Sequence, residues 1–172
     1  MFYTILDDLI LYQQLIIKPS KYSNYELKLH NYFYEKTKGI DPSYIFLIKI
    51  ENTDFIFFFV RQDKYFQAKS YLNSIRNKIG DKKVLIIRVD NILINLLFNL
   101  FPDLCIEDIE IEMNNMKGKY EISLCFLKDL NTYHIAVGQR GCYIKAVNEL
   151  FDKHINFLNC RIPLTIKCRV ID

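Results

Sequence analysis

Hydrophobic positions near the start of the chain recur at helical spacing and predict two helices. The first is expected over residues 3–17 and is ended by Pro19. The second is expected to begin at Ser23, because Glu26 three residues later completes a capping-box pattern, and to continue to Gly39. These two helices are predicted to form an N-terminal helical hairpin.

The pattern then changes to that of a β-hairpin. Two runs rich in β-branched and aromatic residues, 44–50 and 55–60, flank a polar turn at 51–54. The nearly all-aromatic run 55–59 has the composition of a stacking platform for bases, but no basic residue and glycine precede it as they do in ribonucleoprotein-type strands. We interpret the run as a core strand, since continuous apolar runs are typical of burial on both faces.

The middle of the chain predicts a helix, a strand and a second helix. One helix is expected over residues 62–79, with its basic residues on a solvated side and its end at Gly80. A β-rich run follows over 84–89. The second helix, short and apolar, spans 92–100 and is stopped by Pro102.

A second β-hairpin is predicted after this helix. Apolar and polar residues alternate strictly over 107–113 and again over 120–126, with turn-forming residues at 114–118 between them. The acidic residues of the first strand are expected on its solvated side. Glu110 and Glu112 share one strand face, which admits a metal site, but a solvated face is the commoner meaning of such a pair.

Two glycines near the end of the chain carry most of the chemical information. Gly138 and Gly141 enclose Gln139 and Arg140 and precede an amphipathic helix. Glycines at both ends permit a tight turn close to a sugar-phosphate chain, and the helix start offers free N–H groups. A KH domain clamps about four nucleotides of single-stranded RNA with such a G-x-x-G loop. The tetrad alone is weak support, because a helix cap followed by a tight turn produces the same pattern.

The surrounding elements and charges strengthen the RNA-binding interpretation. A short helix before the tetrad, a helix over 142–152 and a strand over 155–158 complete the order αββααβ. Six basic residues and two acidic residues lie between positions 139 and 169, namely Arg140, Lys145, Lys153, Arg161, Lys167 and Arg169 against Glu149 and Asp152. The predicted RNA-binding residues are Val137, Gly138, Gln139, Arg140, Gly141 and Lys145.

Several short segments in the same order resemble one known family. These segments are Leu85-Ile86-Ile87-Arg88, Leu96-Leu97-Phe98 with Pro102-Asp103-Leu104, Glu110-Ile111, and the loop Val137 to Gly141 followed by Lys145-Ala146 and Asn148-Glu149-Leu150. Together they resemble the first KH domain of the bacterial transcription elongation and termination factor NusA. The resemblance extends from Val84 to about Phe157, and the first sixty residues are only faintly similar to the family's polymerase-binding domain.

The resemblance implies an α+β fold in two parts. A divergent αα-ββ-α region over residues 1–83 is expected to bind a partner, and residues 84–172 are expected to form a type II KH domain of αββααβ order. An extra C-terminal strand is expected over 162–171, with Pro163 favouring a sheet edge. One helix stands where the family has an OB-fold domain, and no second KH domain follows, so we expect weaker RNA binding than in the family.

The function implied by the resemblance is that of a NusA-like accessory factor in transcription elongation and termination. The N-terminal region is expected to dock on a multisubunit bacterial-type RNA polymerase, while the KH loop contacts the nascent single-stranded RNA. Two alternatives stay open. One is a KH protein of an organellar or bacterial ribosome that binds rRNA, and the other is a KH fold used only for protein contacts.

Composition limits the other functions. The chain has 172 residues, 51% of them hydrophobic and 25% charged, and its net charge of +3 requires any basic surface to be local. Five cysteines without a C-x-x-C pair and three scattered histidines argue against a zinc knuckle. Cys142 is the one thiol whose helix-start position favours a lowered pKa, although a KH domain needs only a small residue there. We therefore expect free thiols, no metal, no cofactor, no catalytic residue and no small-molecule substrate.

The same composition bears on location. No membrane span or targeting peptide is expected, because charges interrupt the apolar runs and Asp7 and Asp8 lie in the first segment. Isoleucine, asparagine, lysine, tyrosine and phenylalanine are abundant, as AT-rich codons specify. This bias favours an AT-rich organelle, with the plastid first, or a bacterial cytoplasm.

Overall fold

The computed structural model describes residues 9–159 and 162–172 and divides the chain into two compact units. The middle unit comprises residues 19–90. The terminal unit comprises residues 91–172 together with the described residues before Pro19. The boundary at residues 90 and 91 differs from the predicted division into 1–83 and 84–172, because the strand near residue 84 pairs inside the middle unit.

The described elements are given in chain order. They are β1 (Leu15–Ile17), α1 (Asn24–Lys36), β2 (Tyr44–Ile50), β3 (Thr53–Val60), α2 (Tyr65–Lys69), α3 (Leu72–Ile79), β4 (Lys83–Arg88), α4 (Leu93–Leu100), β5 (Asp108–Asn114), β6 (Lys119–Leu127), α5 (Thr132–Val137), α6 (Cys142–Lys153), β7 (Ile155–Phe157) and β8 (Leu164–Ile171). Short 3-10 turns lie at Gln62–Lys64, Lys128–Leu130 and Gln139–Gly141. The expected α+β class is confirmed.

Both units have the same order of elements. Apart from β1 and β7 of the terminal unit, each has a helix, two antiparallel strands, two further helices and a last strand that is parallel to the second one. The sheet orders are β2-β3-β4 in the middle unit and β5-β6-β8 in the terminal unit. In the terminal unit β1 and β7 form a separate antiparallel pair. The described chain thus builds one topology twice.

The aromatic run of the middle unit is a core strand, as predicted. Every side chain from Phe55 to Val60 is buried in β3, the central strand of its sheet. Phe58 stacks on Phe33 of α1 with ring centroids 4.4 Å apart. The run therefore offers no face to a base, which excludes the stacking-platform interpretation for these residues.

The predicted capping box is confirmed at the start of α1. The Ser23 hydroxyl accepts a hydrogen bond from the Glu26 N–H, and the Glu26 carboxylate accepts one from the Ser23 N–H at 2.6 Å. The helix stops at Lys36, before the expected end at Gly39, because Lys38 adopts the left-handed conformation at φ 56°. The Gly39 N–H then satisfies the Tyr34 carbonyl.

Two helix predictions need correction. The helix expected over residues 3–17 lies partly outside the described residues, but Leu15–Ile17 is strand β1 because it pairs with β7. The expected N-terminal helical hairpin is therefore wrong in its described part. The single helix expected over 62–79 is divided into a 3-10 turn, α2 and α3, with a break at Ser70 and Tyr71.

The end of the chain also differs from the expectation. The strand expected at 155–158 as the last of the KH order is β7, which pairs with β1 outside the main sheet. The strand expected as an extra element is β8, which pairs along the whole of β6. A long parallel register with β6 gives β8 far more backbone pairing than three residues of β7 can supply. Its predicted place at a sheet edge is confirmed.

No described helix is both long enough and apolar enough to cross a membrane.

Candidate nucleic-acid interface

The two predicted glycines form the connection between α5 and α6. Gly138 ends α5 with φ 77° and ψ 169°, a conformation that is essentially restricted to glycine. Arg140 and Gly141 both adopt left-handed conformations, at φ 55° and φ 69°. Helix α6 begins directly afterwards at Cys142. The tetrad is therefore a sharp four-residue loop between two helices.

The two glycines are required for different reasons. A Cβ atom on Gly138 would lie 2.7 Å from Tyr143 Cβ and 2.9 Å from the Tyr143 backbone nitrogen, closer than side chains approach. A Cβ atom on Gly141 would meet only Val137 Cγ1, at 3.9 Å. Gly138 is thus packed into the protein, whereas Gly141 leaves open space on the loop.

Tyr143 fixes the loop to the end of α4. Its hydroxyl donates a hydrogen bond to the Leu100 carbonyl, and its ring meets Phe101 edge to face at a centroid distance of 5.6 Å. Burial raises the pKa of Tyr143, so the hydroxyl remains a donor at neutral pH. The start of α6 and the loop are therefore held in place by packing.

The loop presents polar groups to solvent. Gln139 and Arg140 are exposed at its tip, and Lys145 is exposed one turn into α6. No side chain caps the first turn of α6, and the loop closes on itself there, because the Gly141 N–H donates to the Gly138 carbonyl and the Cys142 N–H donates to the Gln139 carbonyl. Arg140 is a non-glycine residue in a left-handed conformation, which costs about 1 kcal/mol and is typical of ligand-binding loops.

The basic surroundings expected for the loop are reduced by ion pairs. Lys153 lies 2.5 Å from Glu149, Lys167 lies 2.7 Å from Glu121, and Arg169 lies 2.6 Å from Glu110. Arg161 is outside the described residues. Of the six basic residues counted in the sequence, Arg140 and Lys145 are the two that the structure brings to the loop. The predicted cationic footprint is correspondingly smaller.

The same ion pairs bear on the carboxylates of β5, for which a metal site was the less favoured interpretation. Glu110, on β5, stays 38% exposed and forms an ion pair with Arg169 across the sheet, and Glu112 is exposed, as expected for a solvated strand face. The hydrogen bond from Lys167, followed by that from Asn114, lowers the pKa of the neighbouring Glu121. Among the described residues no group of three histidine, cysteine, aspartate or glutamate side chains is placed to hold a metal ion.

The described cysteines are free thiols. Cys105 is exposed, Cys125 and Cys142 are buried, and Cys168 is half-buried. Burial raises the pKa of Cys168 to about 12. Cys142 occupies the first position of α6 and is buried.

Apolar side chains beside the loop were not found by sequence analysis. Leu130 and Ile135 are 51% and 60% exposed, and Ile135 lies one helical turn before Gln139. Tyr133 and His134 meet edge to face with centroids 5.4 Å apart. Exposed apolar and aromatic groups of this kind are the side chains on which unstacked RNA bases pack in single-strand binding domains. The only sequence signal was the position of Tyr133, His134 and Ile135 in the short helix before Gly138, whereas Leu130 lies in the preceding 3-10 turn.

The middle unit has no such loop at the corresponding place. Its helices α2 and α3 are joined by Ser70 and Tyr71 alone, both with negative φ. The turn holds two residues, against four between α5 and α6, and it contains no glycine. The shared topology therefore carries the glycine loop once among the described residues.

Comparisons with known proteins bear on the fold alone. No family model matches the chain, and no curated protein matches it. Among solved structures, the crystal structure of the archaeal protein APE1850 matches with a TM-score of 0.57 and 18% identity, over 86% of this chain and 100% of that one. A match of this length includes residues of both units, so the fold of APE1850 is similar to more than one unit of this chain.

Proposed function

We propose that the terminal unit is a KH domain whose Gly138–Gly141 loop grips single-stranded RNA. The observation that carries this proposal is the loop itself, a four-residue turn with three positive φ angles between two helices. Its backbone is open at Gly141, its tip carries Arg140, and the uncapped start of α6 follows. Phosphate oxygens would meet Arg140, Lys145 and the positive end of the α6 dipole, while bases would contact Ile135.

The order of elements supports this assignment. Within the terminal unit α4, β5, β6, α5, α6 and β8 follow the order αββααβ of a type II KH domain, with β8 as the last strand. The middle unit repeats the order without the glycine loop. We therefore infer a pair of KH-like units, in which the repeat lies upstream of the loop, in the part of the chain where the family carries an OB-fold domain that this sequence was expected to lack.

For the whole protein we propose a non-enzymatic, NusA-like role in transcription elongation and termination on a bacterial-type RNA polymerase. The middle unit would supply the contact with polymerase. Leu27 and Tyr34, seven residues apart on one face of α1, are 49% and 45% exposed and offer apolar anchors for a protein partner. The compartment proposed is a plastid or a bacterial cytoplasm.

RNA binding is tested by charge reversal on the loop. Fluorescein-labelled oligouridylate is titrated with the wild type, Arg140→Glu and Lys145→Glu, and with Lys117→Glu as a control on an exposed turn of the same unit. We expect the first two substitutions to weaken binding several-fold and the control to leave it unchanged. Equal affinities for all four proteins would refute the glycine-loop proposal. A paired aspartate substitution of both glycines is a poorer test, because Gly138 has no room for a side chain.

The partner is tested by affinity purification from the native compartment. Recovery of polymerase subunits, lost in a Leu27→Ser, Tyr34→Ser variant, supports the transcription role. Recovery of ribosomal proteins and rRNA would replace it with the ribosomal alternative. An absence of RNA affinity together with a retained protein partner would indicate a KH fold used only for protein contacts.

A further inference from the structure

The charge of the protein is divided unevenly between the two units. Residues 19–90 hold thirteen basic and eight acidic residues, a net charge of +5, whereas the rest of the chain holds ten basic and twelve acidic residues, a net charge of −2. The unit without the glycine loop is thus the one that attracts polyanions. RNA binding through the terminal unit alone leaves this asymmetry unexplained.

The positive charge is concentrated in the second half of the middle unit. Residues 61–88 hold eight lysines and arginines and two aspartates. This segment forms α2, α3 and β4, the counterparts of α5, α6 and β8. The basic segment therefore takes the topological place that the glycine loop and its helices take in the terminal unit.

Aromatic and cationic side chains meet within this segment. Phe66 is 70% exposed, and the Arg88 guanidinium carbon lies 5.0 Å from its ring centroid. The same guanidinium lies 5.1 Å from the Tyr65 ring, and Lys69 Nζ lies 6.0 Å from that ring. The Tyr65 and Phe66 rings meet edge to face at 5.3 Å. We call these four residues the Phe66 cluster.

The geometry of the Phe66 cluster suits an unpaired nucleotide. An exposed aromatic face is the platform on which bases of single strands stack, and a nearby arginine strengthens the stack and attracts the phosphate. A duplex cannot use the site, because its bases are already stacked. Phenylalanine with arginine is also a common anchor of protein interfaces, but the net charge of +5 favours a polyanion.

We propose that the middle unit carries a second binding site for single-stranded RNA, in which a base stacks on Phe66 while Lys69 and Arg88 meet the adjacent phosphates. The site is independent of the glycine loop. Contact at both sites would raise the affinity of one RNA strand above that of either site, provided that the strand spans them.

The test compares variants of the full chain for binding to fluorescein-labelled oligouridylate. Phe66→Ala removes the stacking face, Phe66→Tyr keeps it, and Phe98→Ala removes a half-exposed phenylalanine of the terminal unit as a matched control. We expect Phe66→Ala to weaken binding about tenfold, with the other two near wild type. The thermal melting temperature of each variant checks the fold, which should persist because Phe66 is exposed.

The outcomes separate this proposal from the glycine-loop proposal. Weaker binding by Phe66→Ala, with unchanged binding by Arg140→Glu, supports the Phe66 cluster and refutes the loop. Unchanged binding by Phe66→Ala at an unchanged melting temperature overturns the Phe66 cluster whatever Arg140→Glu does. If Phe66→Ala instead releases a protein partner and keeps full RNA affinity, the surface is a protein contact and the proposal is wrong.

Discussion

The two units share one topology and differ in the turn between their paired helices and in their charge. The terminal unit has a four-residue glycine loop and a net charge of −2, whereas the middle unit has a two-residue turn and a net charge of +5. Under the two proposals above, the terminal unit binds RNA with few cations because the glycine loop and the α6 dipole contribute, whereas the middle unit depends on charged and aromatic side chains. One fold would then support two means of binding an anion.

The units also differ in how the second of the paired helices is tied to the last strand. In the terminal unit the Asn148 amide donates to the Ile166 carbonyl at 2.9 Å and accepts from the Ile166 N–H at 2.7 Å. In the middle unit the Arg76 guanidinium donates to the Val84 carbonyl at 2.9 Å and 3.1 Å. A half-buried amide thus joins α6 to β8 in the terminal unit, whereas an exposed cation joins α3 to β4 in the middle unit.

The largest expected effect tests whether the central strands of the two sheets contribute equally to the stability of the fold. Phe58 of β3 and Phe126 of β6 are both fully buried, and each lies in the middle strand of its sheet. We expect Phe58→Ala and Phe126→Ala each to lower the free energy of unfolding by about 4 kcal/mol in urea denaturation. Phe66→Ala is the exposed control and should change it by less than about 0.5 kcal/mol. A small loss for either buried residue would contradict the equivalence.

The second prediction concerns the glycines. Gly138→Ala combines a forbidden conformation with contacts of 2.7 Å and 2.9 Å, and we expect a loss of about 3 kcal/mol. In the middle unit Gly80 also has a positive φ, but its Cβ would meet nothing within 4 Å. Its backbone, at φ 82° and ψ −124°, also disfavours a side chain, but no packing clash is added, so Gly80→Ala should cost about 2 kcal/mol. Urea denaturation measures both, and equal losses would show that packing against Tyr143 is unimportant.

Features encoded by neighbouring residues were predictable from the sequence. The Ser23–Glu26 capping box and the β2–β3 hairpin follow from residues a few positions apart, and the glycine loop follows from Gly138 and Gly141. Conformation at these places depends on local chemistry, so a single sequence contains the signal. The exposed Gln139 and Arg140 at the loop tip follow from the same pattern.

Features that depend on distant partners were not predictable. Residues 15–17 form strand β1 because they pair with residues 155–157. Strand β8, and not β7, completes the main sheet because its register allows it to pair along β6. The same register pairs Lys167 with Glu121, although the sequence only allowed Lys167 to be counted among the basic residues surrounding the loop. The break at Ser70 has neither glycine nor proline to mark it. The sequence therefore predicted one helix instead of α2 and α3, and with one helix the order of the middle unit does not match that of the terminal unit.

The third prediction compares the two helix-to-strand ties. Asn148→Ala would leave the Ile166 N–H and carbonyl without their partner in a half-buried place, and we expect a loss of about 2 kcal/mol. Arg76→Ala would remove an exposed hydrogen-bond donor from the Val84 carbonyl, and we expect the free energy of unfolding to fall by about 1 kcal/mol. Thermal or urea unfolding measures both. A larger loss for Arg76→Ala would reverse the ranking of the two ties.

The fourth prediction uses pH. The pKa of Glu121 is lowered in the folded protein, chiefly by Lys167, so its ion pair stabilises the fold at neutral pH. That contribution is present above the ordinary carboxyl range near pKa 4.3 and is lost as the pH falls through the lowered value. Glu121→Gln should lower the melting temperature slightly at pH 7 and have no further effect at the lowest pH. An identical difference at both pH values would exclude the ion pair as its cause.

The smallest expected effect concerns the salt dependence of RNA binding, which shows how the phosphate contacts are shared between the units. Arg140 and Lys145 of the terminal unit and Lys69 and Arg88 of the middle unit are the cations assigned to RNA. Each neutralised phosphate of a single strand contributes about −0.7 to the slope of log affinity against log salt, so about four contacts predict a slope near −3. Arg140→Gln and Lys69→Gln should each reduce its magnitude by about 0.7 and lower the affinity only a few-fold. Titrations of oligouridylate at several salt concentrations give the slopes, with Lys117→Gln as the control that should leave the wild-type value. A slope changed by Arg140→Gln alone would confine the phosphate contacts to the glycine loop, whereas a slope changed by Lys69→Gln alone would place them on the middle unit.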